Sequence, residues 1–178
     1  MPISQIVTNS IANGAVVAAD LAAGAALSNL GTSQLARANM APGSVIQTIN
    51  TYVANAPEIA TTSTSLVASG ISASITPTTA SNLICVEFSS AMTDPTTSSG
   101  LASVMYVNGS AMPNASSYHI AYRDSSVRYA PSIFVGTFQP SNTSALTFQV
   151  FFRSLNGNSA RIVHELASYC LKLTEIRS

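Results

Sequence analysis

Charge is scarce in this sequence. Seven Lys and Arg and seven Asp and Glu make up 8% of its 178 residues, against roughly a quarter of an average soluble domain. The two signs balance to a net charge of zero, and no basic run occurs, so nucleic acid is not an expected partner. No stretch reaches the roughly 20 apolar residues that a membrane span needs, so no membrane partner is expected either. Met1 to Ser10 lacks the basic start and apolar stretch of a signal peptide, which predicts synthesis in a cytoplasm without export by the usual route. Cysteine is scarce too: Cys85 and Cys170 are the only two. That is too few for a disulfide scaffold. Each falls in a strand-like run, and both are expected as free thiols not bonded to each other.

What is present is small and uncharged. Hydrophobic residues make up 47% of the chain, so it is not disordered by composition. About a quarter is Ser or Thr. A monomer ordinarily stays soluble by spreading charges over its surface. Here hydroxyls, amides and small apolar groups must form much of the surface. Such a surface is covered by copies of itself or built into an assembly, and an oligomer is expected. The length suits one domain with a full core plus an extension.

The composition shifts at Ala41-Pro42-Gly43. Before it the chain is rich in Ala, Gly and Asn and repeats at a period of ten, with Ile11 matching Leu21, Gly14 matching Gly24 and Val17 matching Leu27. A continuous Ala-rich helix is opposed by Gly14 and Gly24, each costing about 1 kcal/mol there. Short extended pieces joined by Gly-centred turns are expected instead, held by neighbours because such small units cannot bury their own aliphatic groups. Residues 1–42 are therefore read as an extended Ala/Gly-rich N-terminal arm, and 43–178 as a β head.

From Gly43 onward the pattern has period two. Ile71-Ser-Ala-Ser-Ile75 alternates and Pro77 ends it. Ile84, Val86 and Phe88 share one face, as do Leu146, Phe148, Val150 and Phe152, and likewise Tyr169, Leu171 and Leu173. Further strands are expected within Val45–Val53, Glu58–Val67, Val104–Val107, Tyr118–Arg123, Ser132–Phe138 and Arg161–Ala167. Turn signals separate them at Asp94 to Gly100, at Asn108-Gly109 and at Asn156-Gly157, the last expected to be a hairpin turn. Nine or ten strands at this spacing predict an all-β fold: an antiparallel β-sandwich, jelly-roll-like.

Chemistry-bearing motifs are missing. There is no Gly-x-Ser-x-Gly elbow, no phosphate-binding Gly loop and no paired-His zinc signature. The seven acids are scattered. No catalytic residue, cofactor or metal site is assigned, and no enzymatic activity is expected. His164 alternates with Ile162 and Leu166 and is read as a hydrogen-bonded core or interface histidine; three copies meeting on an axis to bind an ion is the sharper reading. Tyr118 to Tyr129 crowds three Tyr, two Arg, one Asp and one His into twelve residues. Rings beside guanidinium forks are what binding hot spots use. Tyr122, Arg123, Arg128 and Tyr129 are the candidate partner-binding residues; a hairpin with inward Tyr118, Ile120 and Tyr122 is the plainer reading.

An Ala/Gly/Asn arm running into Asn39-Met-Ala-Pro-Gly-Ser-Val-Ile-Gln47 resembles the fibre and tail-fibre-like structural proteins of tailed phages of aquatic bacteria. So do Thr61-Thr-Ser-Thr-Ser-Leu-Val67, Ser69-Gly-Ile-Ser-Ala-Ser-Ile-Thr-Pro77 and the closing Leu171-Lys-Leu-Thr-Glu-Ile176. The middle, about Ala91 to Asn158, departs into its own sequence. The resemblance implies a homotrimer located in the virion. Its arm would attach to other virion proteins, and its β head would face outward toward a host surface; the rings and hydrogen-bonding side chains of Tyr118 to Tyr129 would suit a surface glycan as one ligand. Two rival expectations are a capsid cement or decoration protein and a cellular carbohydrate-binding module.

Overall fold

A computed structural model describes residues 40–95, 100–113, 119–122 and 130–178, with the backbone alone for 92–95, 119–122 and 130. The arm expected over residues 1–42 lies outside these up to residue 39. The chain divides into two units, Met1–Met40 and Ala41–Ser178, and the second carries the described fold.

Eleven strands and no helix occur among the described residues: β1 Val45–Val53, β2 Ile59–Thr61, β3 Val67–Ile75, β4 Leu83–Pro95, β5 Gly100–Val107, β6 Ser110–Ala111, β7 His119–Tyr122, β8 Ala130–Phe138, β9 Leu146–Ser154, β10 Ala160–Val163 and β11 Tyr169–Ile176. They form two antiparallel sheets around one core, a β-sandwich. In the first sheet β11 lies between β1 and β4, β8 takes the other edge of β4, and β10 continues from the end of β4 to β2. In the second, β9 lies between β3 and β5, and the far edge of β5 takes β6 and β7. The first and last long strands are therefore neighbours. Gly43 N donates to Arg177 O at 2.7 Å and Arg177 N to Ser44 O at 2.9 Å, fastening this end.

The alternation read from sequence sets the core. Ile84, Val86 and Phe88 from β4 and Leu171 and Leu173 from β11 meet Phe148, Val150 and Phe152 from β9, all buried. Ile71, Ala73 and Ile75 complete the β3 side, and Met105 and Val107 the β5 side. Tyr169 is half-buried against the same cluster. Phe138 meets Phe148 edge to face, centroids 5.8 Å apart at 83°, the arrangement aromatic quadrupoles favour. Gly136 of β8 leaves room that Met112 occupies: a Cβ there would lie 2.6 Å from Met112 Cε.

Several expectations need correction. Asn108 and Gly109 do make a hairpin turn between β5 and β6, both in the left-handed region at φ 48° and 81°, as a two-residue loop demands. Asn156-Gly157 does not. It joins β9 to β10, which belong to different sheets, and there only Gly157 has a positive φ. Ser154 Oγ accepts the N–H groups of Asn156 and Gly157 at 3.4 and 3.0 Å, turning the chain between sheets. The strand expected over Arg161–Ala167 stops at Val163, because Leu166 turns left-handed at φ 60° and is 68% exposed. His164 therefore has no alternating apolar face through Leu166. Its carbonyl accepts Ala167 N–H in that turn. Glu58–Val67 yields only β2 and the first residue of β3. Of the turn expected over Asp94–Gly100, Asp94 and Pro95 instead end β4 and pair with β10 and Gly100 begins β5, while residues 96–99 lie outside the described residues.

Candidate functional site

Among the described residues no group of three His, Cys, Asp or Glu is placed to hold a metal ion. No helix there is long and apolar enough to cross a membrane. Of the candidate partner-binding residues, Tyr122 ends β7, where its backbone pairs with Gly100. Its side chain, with Arg123, Arg128 and Tyr129, lies outside the described residues.

The distinctive surface is elsewhere, on the outer face of the first sheet. Antiparallel register places side chains opposite one another on a common face. Four rows therefore cross the sheet outside the core. They run Val45–Ile176–Leu83, Thr48–Thr174–Cys85–Thr137, Asn50–Lys172–Glu87–Val135 and Tyr52–Cys170–Ser89–Ile133. Tyr52 is 61% exposed, Ile133 58% and Val135 68%. With Val45 and Leu83, this one face carries five of the seven exposed large hydrophobic side chains of the described residues. The outer face of the second sheet differs. It shows Ser72, Ser74, Thr147 and Gln149, with Tyr106 and Phe151 stacked on each other at 4.0 Å and half-buried.

At one end of the apolar face a shallow depression of about 250 Å³ is lined by Tyr52, Ala91, Pro131, Ile133, Tyr169 and Cys170 with serines 89, 90 and 168. Tyr52 is steadied by its hydroxyl, 3.3 Å from Ser168 Oγ. Cys170 Sγ donates to Asn50 Oδ1 at 2.9 Å.

The face carries one Lys and one Glu, and they pair: Lys172 Nζ lies 2.9 Å from Glu87 Oε2. The hydrogen bond to Glu87, then its charge, holds the Lys172 ammonium above its ordinary value. Both groups are about half exposed, so the pair adds little stability. Its effect is to leave the face electrically neutral. Burial, then the Glu87 charge, raises the Cys85 thiol above its ordinary value.

A second polar feature sits at the opposite end of the core. Glu175 continues the inward parity of Leu171 and Leu173 and is fully buried. Its Oε1 accepts Thr78 N–H at 2.8 Å, Thr78 Oγ1–H at 2.7 Å and Asn82 Nδ2–H at 2.7 Å. Its Oε2 accepts Gln47 Nε2–H at 2.6 Å. Burial pushes the carboxyl up, but the hydrogen bonds from Thr78, Asn82 and Gln47 together outweigh it and hold the group below its ordinary value. The carboxylate latches β1, β11 and the β3–β4 connection together. Fully buried, it acts as a strut within the fold. In the sequence Glu175 is one of seven scattered acids, and its parity with Leu171 and Leu173 is the signal of its inward position.

No protein-family model matches the chain, and no curated protein matches it. Among solved structures it is similar to a chain of the infectious bursal disease virus VP2 subviral particle, with a TM-score of 0.48 and 12% identity, covering 74% of this chain and 33% of that one. This chain thus spans about a third of that protein's length.

Proposed function

We propose that this chain is a structural subunit of a bacteriophage particle, a homotrimeric fibre or spike with the β-sandwich as its outward head and residues 1–42 mounting it on other virion proteins. The observation that supports a role in an assembly is the apolar, neutral outer face of the first sheet. A chain with so few charges that also exposes Tyr52, Ile133 and Val135 on one face is suited to assembly and poorly suited to life as a free monomer. The jelly-roll reading is supported by strand order. With β2, β6 and β10 set aside, β1-β11-β4-β8 lies over β3-β9-β5-β7, so the chain passes from one sheet to the other at nearly every connection. The phage assignment itself rests on the sequence resemblance.

Recognition is proposed to lie on the stretch holding Tyr122, Arg123, Arg128 and Tyr129, facing a host glycan or a neighbouring virion protein. Loops on a rigid sheet scaffold vary without harming the core, so specificity gathers there.

The test is to image particles of a phage whose genome carries this gene, with gold-labelled antibody to the chain and with the gene deleted. Labelled projections and intact particles that fail to adsorb are expected. Unlabelled particles that adsorb normally without the gene would overturn the reading. Label over the shell, with fragile shells after deletion, would make the protein a capsid decoration protein instead.

A further inference from the structure

We infer that the outer face of the β1–β11–β4–β8 sheet is the surface through which copies of this chain associate, three such faces turning toward a common axis. The inference rests on the trimer reading above and adds the face and the residues that make it.

Three observations select a second copy as the occupant. The first is charge. Lys172 and Glu87 neutralise each other on the face, so it offers nothing to steer a strongly charged partner. It suits a surface equally neutral, which this chain, with seven charges of each sign, supplies. The second is area. Four strands about 4.8 Å apart and about eight residues long project roughly 500 Å², more once side-chain relief is counted. Each partner in a stable interface gives about 800 Å², so this face is large enough to form most of an interface with another copy and needs the edges beside it to complete one. The third is contrast. The opposite outer face presents Ser72, Ser74 and Thr147, with Ser74 Oγ and Thr147 Oγ1 bonded at 2.9 Å. Hydroxyls like these can remain in water, whereas Ile133, Val135 and Tyr52 gain by leaving it.

The chain carries its own reporters. Cys85 and Cys170 are its only cysteines, both free, and both belong to the rows of this face. A bulky maleimide therefore reads whether the face is covered, without any substitution.

The experiment combines light scattering with maleimide labelling on the full chain. It compares wild type, the double variant Ile133→Lys with Val135→Lys, and a control, Ser72→Lys with Ser74→Lys, on the other face. The wild type and the control are expected at three times the 18.4 kDa chain mass, with both thiols protected. The face variant is expected at the mass of one chain, with an unchanged circular dichroism spectrum and reactive thiols. A face variant that keeps the wild-type mass, or wild-type thiols that label as fast as the variant's, would overturn the inference and leave the trimer reading standing. A wild type at single-chain mass would overturn both. A wild-type oligomer of another size, reduced to single chains by the face variant alone, would uphold the face and overturn the trimer. Should the face variant not fold, the wild-type thiols decide: protection lost on dilution to single chains upholds the face, and reactivity in the assembly overturns it.

Discussion

Thr78 grips one oxygen of Glu175 twice, through its backbone N–H at 2.8 Å and its hydroxyl at 2.7 Å. Asn82 donates to the same oxygen, and Gln47 to the other. A buried charge is tolerated only with such satisfaction.

That arrangement makes the β-sandwich acid-sensitive. The folded carboxyl titrates below its ordinary value, so the folded state binds its proton later than the unfolded chain does, whose Glu titrates at about 4.3. The contribution is complete above that value and is lost as pH falls through the folded one. Urea midpoints should therefore hold from pH 7 to 5 and decline toward pH 3. Glu175→Gln turns an acceptor oxygen into an NH₂ that faces donors. It should cost about 2–3 kcal/mol at pH 7 and flatten the acid decline. A variant as stable as wild type at pH 7 would contradict the latch.

Phe148 tests the core. It is fully buried and set edge to face on Phe138. Phe148→Ala should cost about 3–5 kcal/mol in chemical denaturation, whereas exposed Thr147→Ala, on the other face of the same strand, should cost well under half of that.

Gly136 and Met112 should behave as a coupled pair. Gly136→Ala puts a methyl against Met112 Cε and the Phe134 ring, an overpacking expected to cost about 1–3 kcal/mol. Met112→Val shortens the obstructing side chain. The double variant should be less destabilised than the sum of the two singles, as contacting residues show in a double-mutant cycle. Strict additivity would mean that the two do not compete for the same space.

Cys85 and Cys170 lie on adjacent strands but four rungs apart, since Cys85 pairs with Thr174 and Cys170 with Ser89. At about 3.3 Å per residue they are roughly 13 Å apart along the strand, beyond the reach of a disulfide. Denatured, unreduced protein should titrate two thiols per chain; none would contradict the register.

The reach of sequence reading follows from what period two can and cannot encode. Within a strand, alternation says which side chains share a face, and Ile84, Val86, Phe88 and the β9 series are buried accordingly. Alternation carries no information about which strand lies beside which. The rows joining Tyr52 to Cys170 and Ile133 come from strands far apart in the chain, so alternation within a strand does not reveal the apolar outer face. Each of its members looked like an isolated exposed residue. Asn156-Gly157 misled for the same reason: its turn chemistry is real, but the sheet to which the next strand belongs is decided by the core. Glu175 escaped because a carboxylate is read as outward by default, and only its four hydrogen bonds make the inward parity tolerable.

Self-association of this chain is the central proposal. The mass of the purified full chain in solution, measured by light scattering at low micromolar concentration, tests that most directly. Three times 18.4 kDa is the predicted result, and a stable species at the mass of one chain would contradict it.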